Sequence, residues 1–325
     1  MITIRLLLRG LFHKRILTGV GIGVLLVFPF IFSREYLINV SIFTGIFVVL
    51  LVGLSLFIGH VGQFSFAQAA FYGMGAYTSS LLTTRLGVAV WLGFLAAGAL
   101  PGLTAYAIGS LTLRLRGYYL AMVTLALCGI FHVFVTEQYS ITGGPSGVYG
   151  IPPLSFGKIR VESAASYHYV VWTIAVLSLI FSRNITKSRV GRALKAIEGS
   201  EDAATVLGID VSGYKIKIFT LTGVSAGIAG SLFAHYVTYI APGNFTLDLS
   251  IWLVVILAIG GVRNISGVVM GAGFTTIFPF LLGPYQKYNM LVFGIILVLV
   301  LMFLPGGITG VIGRKIEGAK AKLLV

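Results

Sequence analysis

LINVSIFTGIFVVLLVGLSLF, residues 37–57, carries no charged side chain and is long enough to cross a bilayer as a helix. Similar runs recur at 16–33, 88–112, 118–136, 168–183, 216–240 and 288–305. Two more segments, 65–83 and 265–282, are apolar but rich in glycine. The run LSIWLVVILAIGG, 249–261, is short for a span, so its helix either continues past the glycines or breaks there. Together these predict an all-α polytopic membrane protein with about ten transmembrane helices, a single domain over 1–325. Composition agrees: 57% of the residues are hydrophobic and 10% charged, with a mean hydropathy of +1.00.

Lys and Arg set the expected orientation. With the N-terminus in the cytoplasm and the helices alternating, 18 of the 23 basic residues fall on the cytoplasmic side. Arg34, Arg85, Lys158, Arg160 and Lys287 fall outside, and both termini come out cytoplasmic. The net charge of +14 then reflects topology and contact with anionic membrane lipid. No basic patch is interleaved with exposed aromatics, so a nucleic-acid partner is not expected. Residues 1–33 start basic, but the apolar run ends in FIFSREY without a small-residue cleavage pattern, which predicts an uncleaved first span. The single cysteine, Cys128, excludes an intrachain disulfide and a cysteine metal cluster.

Absences narrow the function. All nine acidic residues, Glu35 to Glu317, fall in predicted loops or at span ends. A carboxylate at mid-membrane costs about 2.5–3.5 kcal/mol on insertion scales, and ion-coupled carriers usually keep one for their mechanism. No GxxxxGK[ST], HExxH or GxSxG pattern occurs, and the five histidines are scattered. No catalytic residue, metal ligand or resident cofactor is expected in this chain, and it does not read as an enzyme.

The largest predicted cytoplasmic loop is TKSRVGRALKAIEGSEDAATVLGIDVSGYKIK, 186–217. Its first half, 188–198, puts Val190, Leu194 and Ile197 on one face, apart from Arg189, Arg192 and Lys195. A second short helix starts after Ser200 as N-cap, with Glu201 and Asp202 in its first turn, and ends at Gly208. Ala203, Ala204, Val206 and Leu207 give it a small apolar surface. On physics alone it either lies on lipid headgroups or docks a partner.

DAATVLG, 202–208, resembles the EAA---G loop of ABC importer permeases, with Asp202 replacing Glu. The later Ile falls on Ile218, while Thr220 and Leu221 stand where that motif closes with Leu-Pro. GHVGQFSFAQAAFYGMGAYTSSLL, LRLRGYYLAMVTLAL, ITGGPSGVYGIP, SRVGRALKAI, APGNF and SGVVMGAG follow the order seen in branched-chain amino acid ABC importer permeases. The second and third favour the LivM-type subunit. The resemblance implies a LivH-type second permease, two ABC ATPase subunits carrying ATP and Mg, a periplasmic substrate-binding protein and a bacterial inner-membrane location. It implies that Glu201, Asp202, Ala203, Ala204 and Gly208 couple to the ATPase. Leucine, isoleucine or valine is the implied substrate; relatives carry urea, short amides or nucleosides. The rival class is a self-sufficient secondary carrier or channel.

The polar stretch 59–77 has two explanations. Its small residues suit helix packing. Gln63, Ser65 and Gln68 need partners in lipid, or a water-filled cavity beside a helix broken at Gly59 and Gly62; the expectation is that 59–68 lines or gates the path. In the predicted periplasmic loop 138–167, Gly143, Gly144, Pro145 and Gly147 form either a tight turn or a gate or docking surface.

Overall fold

The computed structural model describes residues 35–113, 118–156, 159–161 and 163–281, plus the isolated positions Phe28, Pro29, Gly294, Ile295, Met302 and Gly307. The spans expected at 16–33 and 288–305 lie almost wholly outside the described residues. Besides the single turn Tyr139–Thr142, the described part has ten helices: α1 Glu35–Leu56, α2 Gln68–Thr84, α3 Val90–Thr112, α4 Tyr118–Glu137, α5 Ala164–Lys187, α6 Arg189–Gly199, α7 Glu201–Val206, α8 Val211–Val237, α9 Leu247–Gly260 and α10 Ile265–Leu281. A π-helical turn, Phe57–Val61, prolongs α1. The two loop helices expected within 186–217 are α6 and α7.

Among the described residues, six stretches are long and apolar enough to cross a membrane: Glu35–Val61, Val90–Thr112, Tyr118–Glu137, Ala164–Lys187, Val211–Val237 and Pro242–Gly260. The protein is an all-α, multi-pass membrane protein. The run at 249–261 does break: α9 stops at Gly261, whose φ is 111°, and α10 starts four residues later.

α1 is apolar all round and buried nearly throughout, the signature of a central helix. Gly45 faces Val171 of α5, Gly53 faces Thr222 and Ser225 of α8, and Thr44 Oγ1 lies 2.6 Å from Thr276 Oγ1 of α10. α8 crosses beside it against α2 and α3. There Pro101 removes the N–H that would bond the Ala97 carbonyl within α3. α8 closes on that carbonyl through Gly227, where a Cβ would stand 1.9 Å from the oxygen. A side chain at 227 would separate the helices; within the 59–77 stretch, a Cβ at Gly75 would stand 2.2 Å from the Gly227 carbonyl oxygen, so its small residues do serve packing.

α4 is peripheral. Leu120, Thr124, Cys128, Phe131 and Val135 form its single buried stripe, while Met122, Ile130 and Phe134 are exposed.

Tyr236 of α8 donates to Asn39 of α1 at one end of the bundle, and Ser55 of α1 donates to the Val262 carbonyl toward the other. At the first end, β1 Val148–Tyr149 pairs antiparallel with β4 Tyr239–Ile240, and β2 Ser155–Phe156 with β3 Ile159–Arg160. The second end carries Arg183, Lys187, Arg189, Arg192, Lys195, Lys215, Lys217 and Arg263 and is called the basic end below.

Candidate functional site

The site lies at the basic end, where α1 ends. The π-helical turn Phe57–Val61 widens the last turn, and Gly62, with φ 74°, stops it. Residues 62–67 are non-helical, with Gln63 and Ser65 buried and Phe64 exposed. A helix that starts buried in the protein, as α2 does at Ala67 and Gln68, leaves donors that water cannot reach. Here hydroxyls from other elements meet them. Phe66 N–H donates to Thr124 Oγ1 of α4 at 3.1 Å, and Ala69 N–H to Ser250 Oγ of α9 at 2.9 Å. Ser65 Oγ accepts from Ala67 N–H at 3.3 Å.

Gln63, Ser65 and Gln68 are thus 5%, 1% and 1% exposed and each bonds within the chain. Gln68 Nε2 donates to the Leu50 carbonyl at 2.6 Å. The Oε1 atoms of Gln63 and Gln68 have no partner among the described residues. Such burial suits a packed joint or a closed gate rather than the wall of an open path.

The 186–217 segment docks directly under this break. Ser188 caps α6, which buries Gly191, Leu194 and Ile197. Ser200 Oγ accepts from Ala203 N–H at 3.3 Å and so caps α7, as its position before two acidic residues predicts. Asp210 caps α8 by accepting from Gly213 N–H at 2.9 Å. Gly208, with φ 78°, ends the short helix in the left-handed region.

The structure distributes the α7 residues unevenly. Ala204 is buried against the protein, so its methyl does not face outward. Asp202, Ala203 and Gly208 are exposed. The apolar tip is made by Val206 and Leu207, 88% and 76% exposed. Glu201 turns back instead: its Oε1 accepts from Gln63 Nε2 at 2.9 Å and from Lys215 Nζ at 2.6 Å. Lys215 is 1% exposed. Sequence reasoning singled out Gln63 and Glu201 separately. It did not join them, and Lys215 looked like an ordinary boundary cation.

The α9–α10 turn completes the cluster. Arg263 pairs with Glu198 at the end of α6. A Cβ on Gly59 would stand 2.4 Å from the Val262 carbonyl oxygen, so the first break abuts the second. Among the described residues, no three His, Cys, Asp or Glu side chains gather as a metal site requires.

At the opposite end, the predicted periplasmic-loop residues build a compact turn. Gly143, Gly144 and Gly147 all have positive φ, and Pro145 sits in the 3₁₀ turn Gly144–Ser146. A Cβ at Gly147 would stand 2.0 Å from the Ile240 carbonyl oxygen. His235 joins this loop to the bundle: its Nδ1 donates to the Pro152 carbonyl at 2.7 Å, leaving Nε2 to accept from Ser79 Oγ at 2.7 Å. Loop 138–161 and the site are thus at opposite ends of α8.

Comparison with known proteins places this architecture. A family profile described as "Branched-chain amino acid transport system / permease component" matches residues 36–301. The chain belongs to that permease family. Among relatives, it is 30% identical over 303 residues to the high-affinity branched-chain amino acid transport system permease protein LivM of Salmonella typhimurium, covering 86% of this chain and 71% of that protein. The LivM of Escherichia coli K12 gives the same figures. A probable LivH permease of Methanocaldococcus jannaschii is 25% identical over 297 residues, covering 85% of this chain and 92% of that protein. No solved structure matches significantly. Membership makes the chain a LivM-type permease component of an ABC transporter, and a self-sufficient carrier is not favoured.

Proposed function

We propose that this permease is one of two membrane-spanning subunits of an ATP-driven importer for leucine, isoleucine or valine. Its partners are a LivH-type permease, two ABC ATPase subunits that bind ATP and Mg, and a periplasmic substrate-binding protein. The chain is a single domain of about ten spans in the bacterial inner membrane, with both termini cytoplasmic. Residues 186–217 face the cytoplasm and 138–167 the periplasm.

One observation carries the reading. α7 is capped at both ends yet leaves Val206 and Leu207 bare at its tip. Two exposed apolar side chains held in place on a short helix are a surface awaiting a partner, since water disfavours them. They stand at the basic end, which the bias of Lys and Arg assigns to the cytoplasm, where ATP is. In this reading ATP binding closes the ATPase pair, the pair moves α7, and the spans switch from outward- to inward-facing. Asp202, Ala203, Val206, Leu207 and Gly208 meet the ATPase, and Glu201 faces the spans. The break at 59–68 gates the cytoplasmic side of the path. In this reading the chain makes and breaks no covalent bond.

Affinity purification from native membranes, with mass spectrometry of the co-purified chains, tests the assembly. ATPase subunits and a second permease in comparable amounts are expected. A chain recovered alone, with uptake that survives ATP depletion while the proton gradient is held, would sink the proposal.

A further inference from the structure

The contacts beneath the first break go beyond docking a partner. α7 is covalently continuous with α8 only through residues 207–210, a turn closed by Gly208 N–H to the Thr205 carbonyl and Ile209 N–H to the Ala204 carbonyl. At its other end, Gly199 has open space around its Cα, and the exposed Ser200 is extended. A short helix so mounted can tilt. What it tilts against is decided by Glu201.

We propose that Glu201, Lys215 and Gln63 form the joint through which α7 moves the 57–67 break, with Lys215 as the positioning residue. The proposal rests on the importer reading above. One carboxylate oxygen accepts from both donors. Lys215 therefore fixes where Glu201 stands, and Glu201 fixes Gln63. Charge-assisted hydrogen bonds are short and strong, and both donors sit on buried side chains, so displacement of Glu201 carries Gln63 with it. Gln63 follows directly on Gly62, the left-handed stop of a π-helical turn, where one extra residue per turn makes the backbone re-registrable. Gly59, within that turn, lies against the Val262 carbonyl. Arg263, next to Val262, pairs with Glu198 on the near side of the Gly199–Ser200 hinge. The two acidic residues flanking the hinge thus hold the two helix breaks, one each.

Stability alone does not account for Lys215. A buried ion pair is often replaceable by apolar side chains without loss of stability. Its value lies in fixing one arrangement of three elements, the short helix α7, the start of α8 and the 57–67 break.

The test uses the whole complex, with both permeases, the ATPase subunits and the binding protein, reconstituted in liposomes. Leucine taken up per ATP hydrolysed is measured. Lys215→Met should lower that ratio about tenfold or more while the ATPase subunits remain bound in wild-type amounts. Lys215→Arg, which keeps the charge and the donors, should stay within about threefold of wild type. An unchanged ratio in assembled Lys215→Met overturns the joint. Should Lys215→Met fail to assemble, a second experiment decides. Gln63→Cys with Glu201→Cys, on a Cys128→Ser background, should be uncoupled, and bridging the pair with a short bis-methanethiosulfonate should recouple it until reductant is added. Complete bridging without any change in the ratio would overturn the proposal. Absence of ATPase subunits from the wild-type complex would instead overturn the importer reading, and the joint with it.

Discussion

The two ends of α8 are held in different ways. At the far end, loop 138–161 is stitched to the chain largely by backbone: β1 pairs with β4 and Gly147 presses on the Ile240 carbonyl, with one side-chain tie from His235 to the Pro152 carbonyl. At the basic end, α7 is held by side chains reaching from three elements, Gln63, Lys215 and its own Glu201. Backbone stitching admits few alternatives, because each contact fixes dihedrals. Side-chain tethers can lengthen, rotate or exchange partners. The far end therefore behaves as a fixed rim and the basic end as a joint.

The largest effect should come from breaking the rim. Gly147→Val combines a left-handed backbone with a clash against the Ile240 carbonyl oxygen, so it should destabilise the protein by roughly 2–5 kcal/mol. Thermal unfolding in detergent would show it, and a loss under about 1 kcal/mol would mean that the rim is not rigid. Gly208→Leu meets no neighbour but keeps the strained φ. About 1–2 kcal/mol is expected, together with ATP hydrolysis that no longer drives uptake. Normal uptake would remove α7 from the coupling route. Gln63→Leu deletes one hydrogen bond to Glu201 while leaving Lys215 in place. Stability should change by about 1 kcal/mol, whereas transport should fall severalfold; the contrast between the two readouts is what a joint predicts and a rim does not. Arg263→Ala removes a mostly exposed ion pair. Its effect should be under about 1 kcal/mol and should shrink further in high salt.

What the sequence discloses follows the range of each interaction. The six long apolar spans among the described residues were legible because apolar length is a local property, and α9 broke at the glycines that flagged it. Ser200 as cap, Glu201 and Asp202 in the first turn and Gly208 as the stop all lie within nine consecutive residues, so α7 could be placed from local sequence. Pairing across distance was not legible. Nothing near Lys215 in sequence marks it as buried, since its partner lies 14 residues away and that partner's second donor 138. The β1–β4 ribbon joins residues about 90 apart and leaves only short runs such as VY and YI to read. The buried face of α7 was also hidden: with alanines at 203 and 204, periodicity over six residues cannot say which turns inward, and the structure chooses Ala204.

α1 bears on how the chain comes to be built. Its neighbours arrive late: Val171, Thr222 and Thr276 are all more than 100 residues downstream of the contacts they make with it. At ordinary rates of synthesis, on the order of ten seconds separates the emergence of α1 from that of α5. Throughout that interval α1 must rest in lipid with every face exposed. A helix with one polar stripe would be poorly solvated there, and would invite wrong partners. Being apolar all round lets α1 wait, and the same property later makes it the centre around which the remaining helices collect.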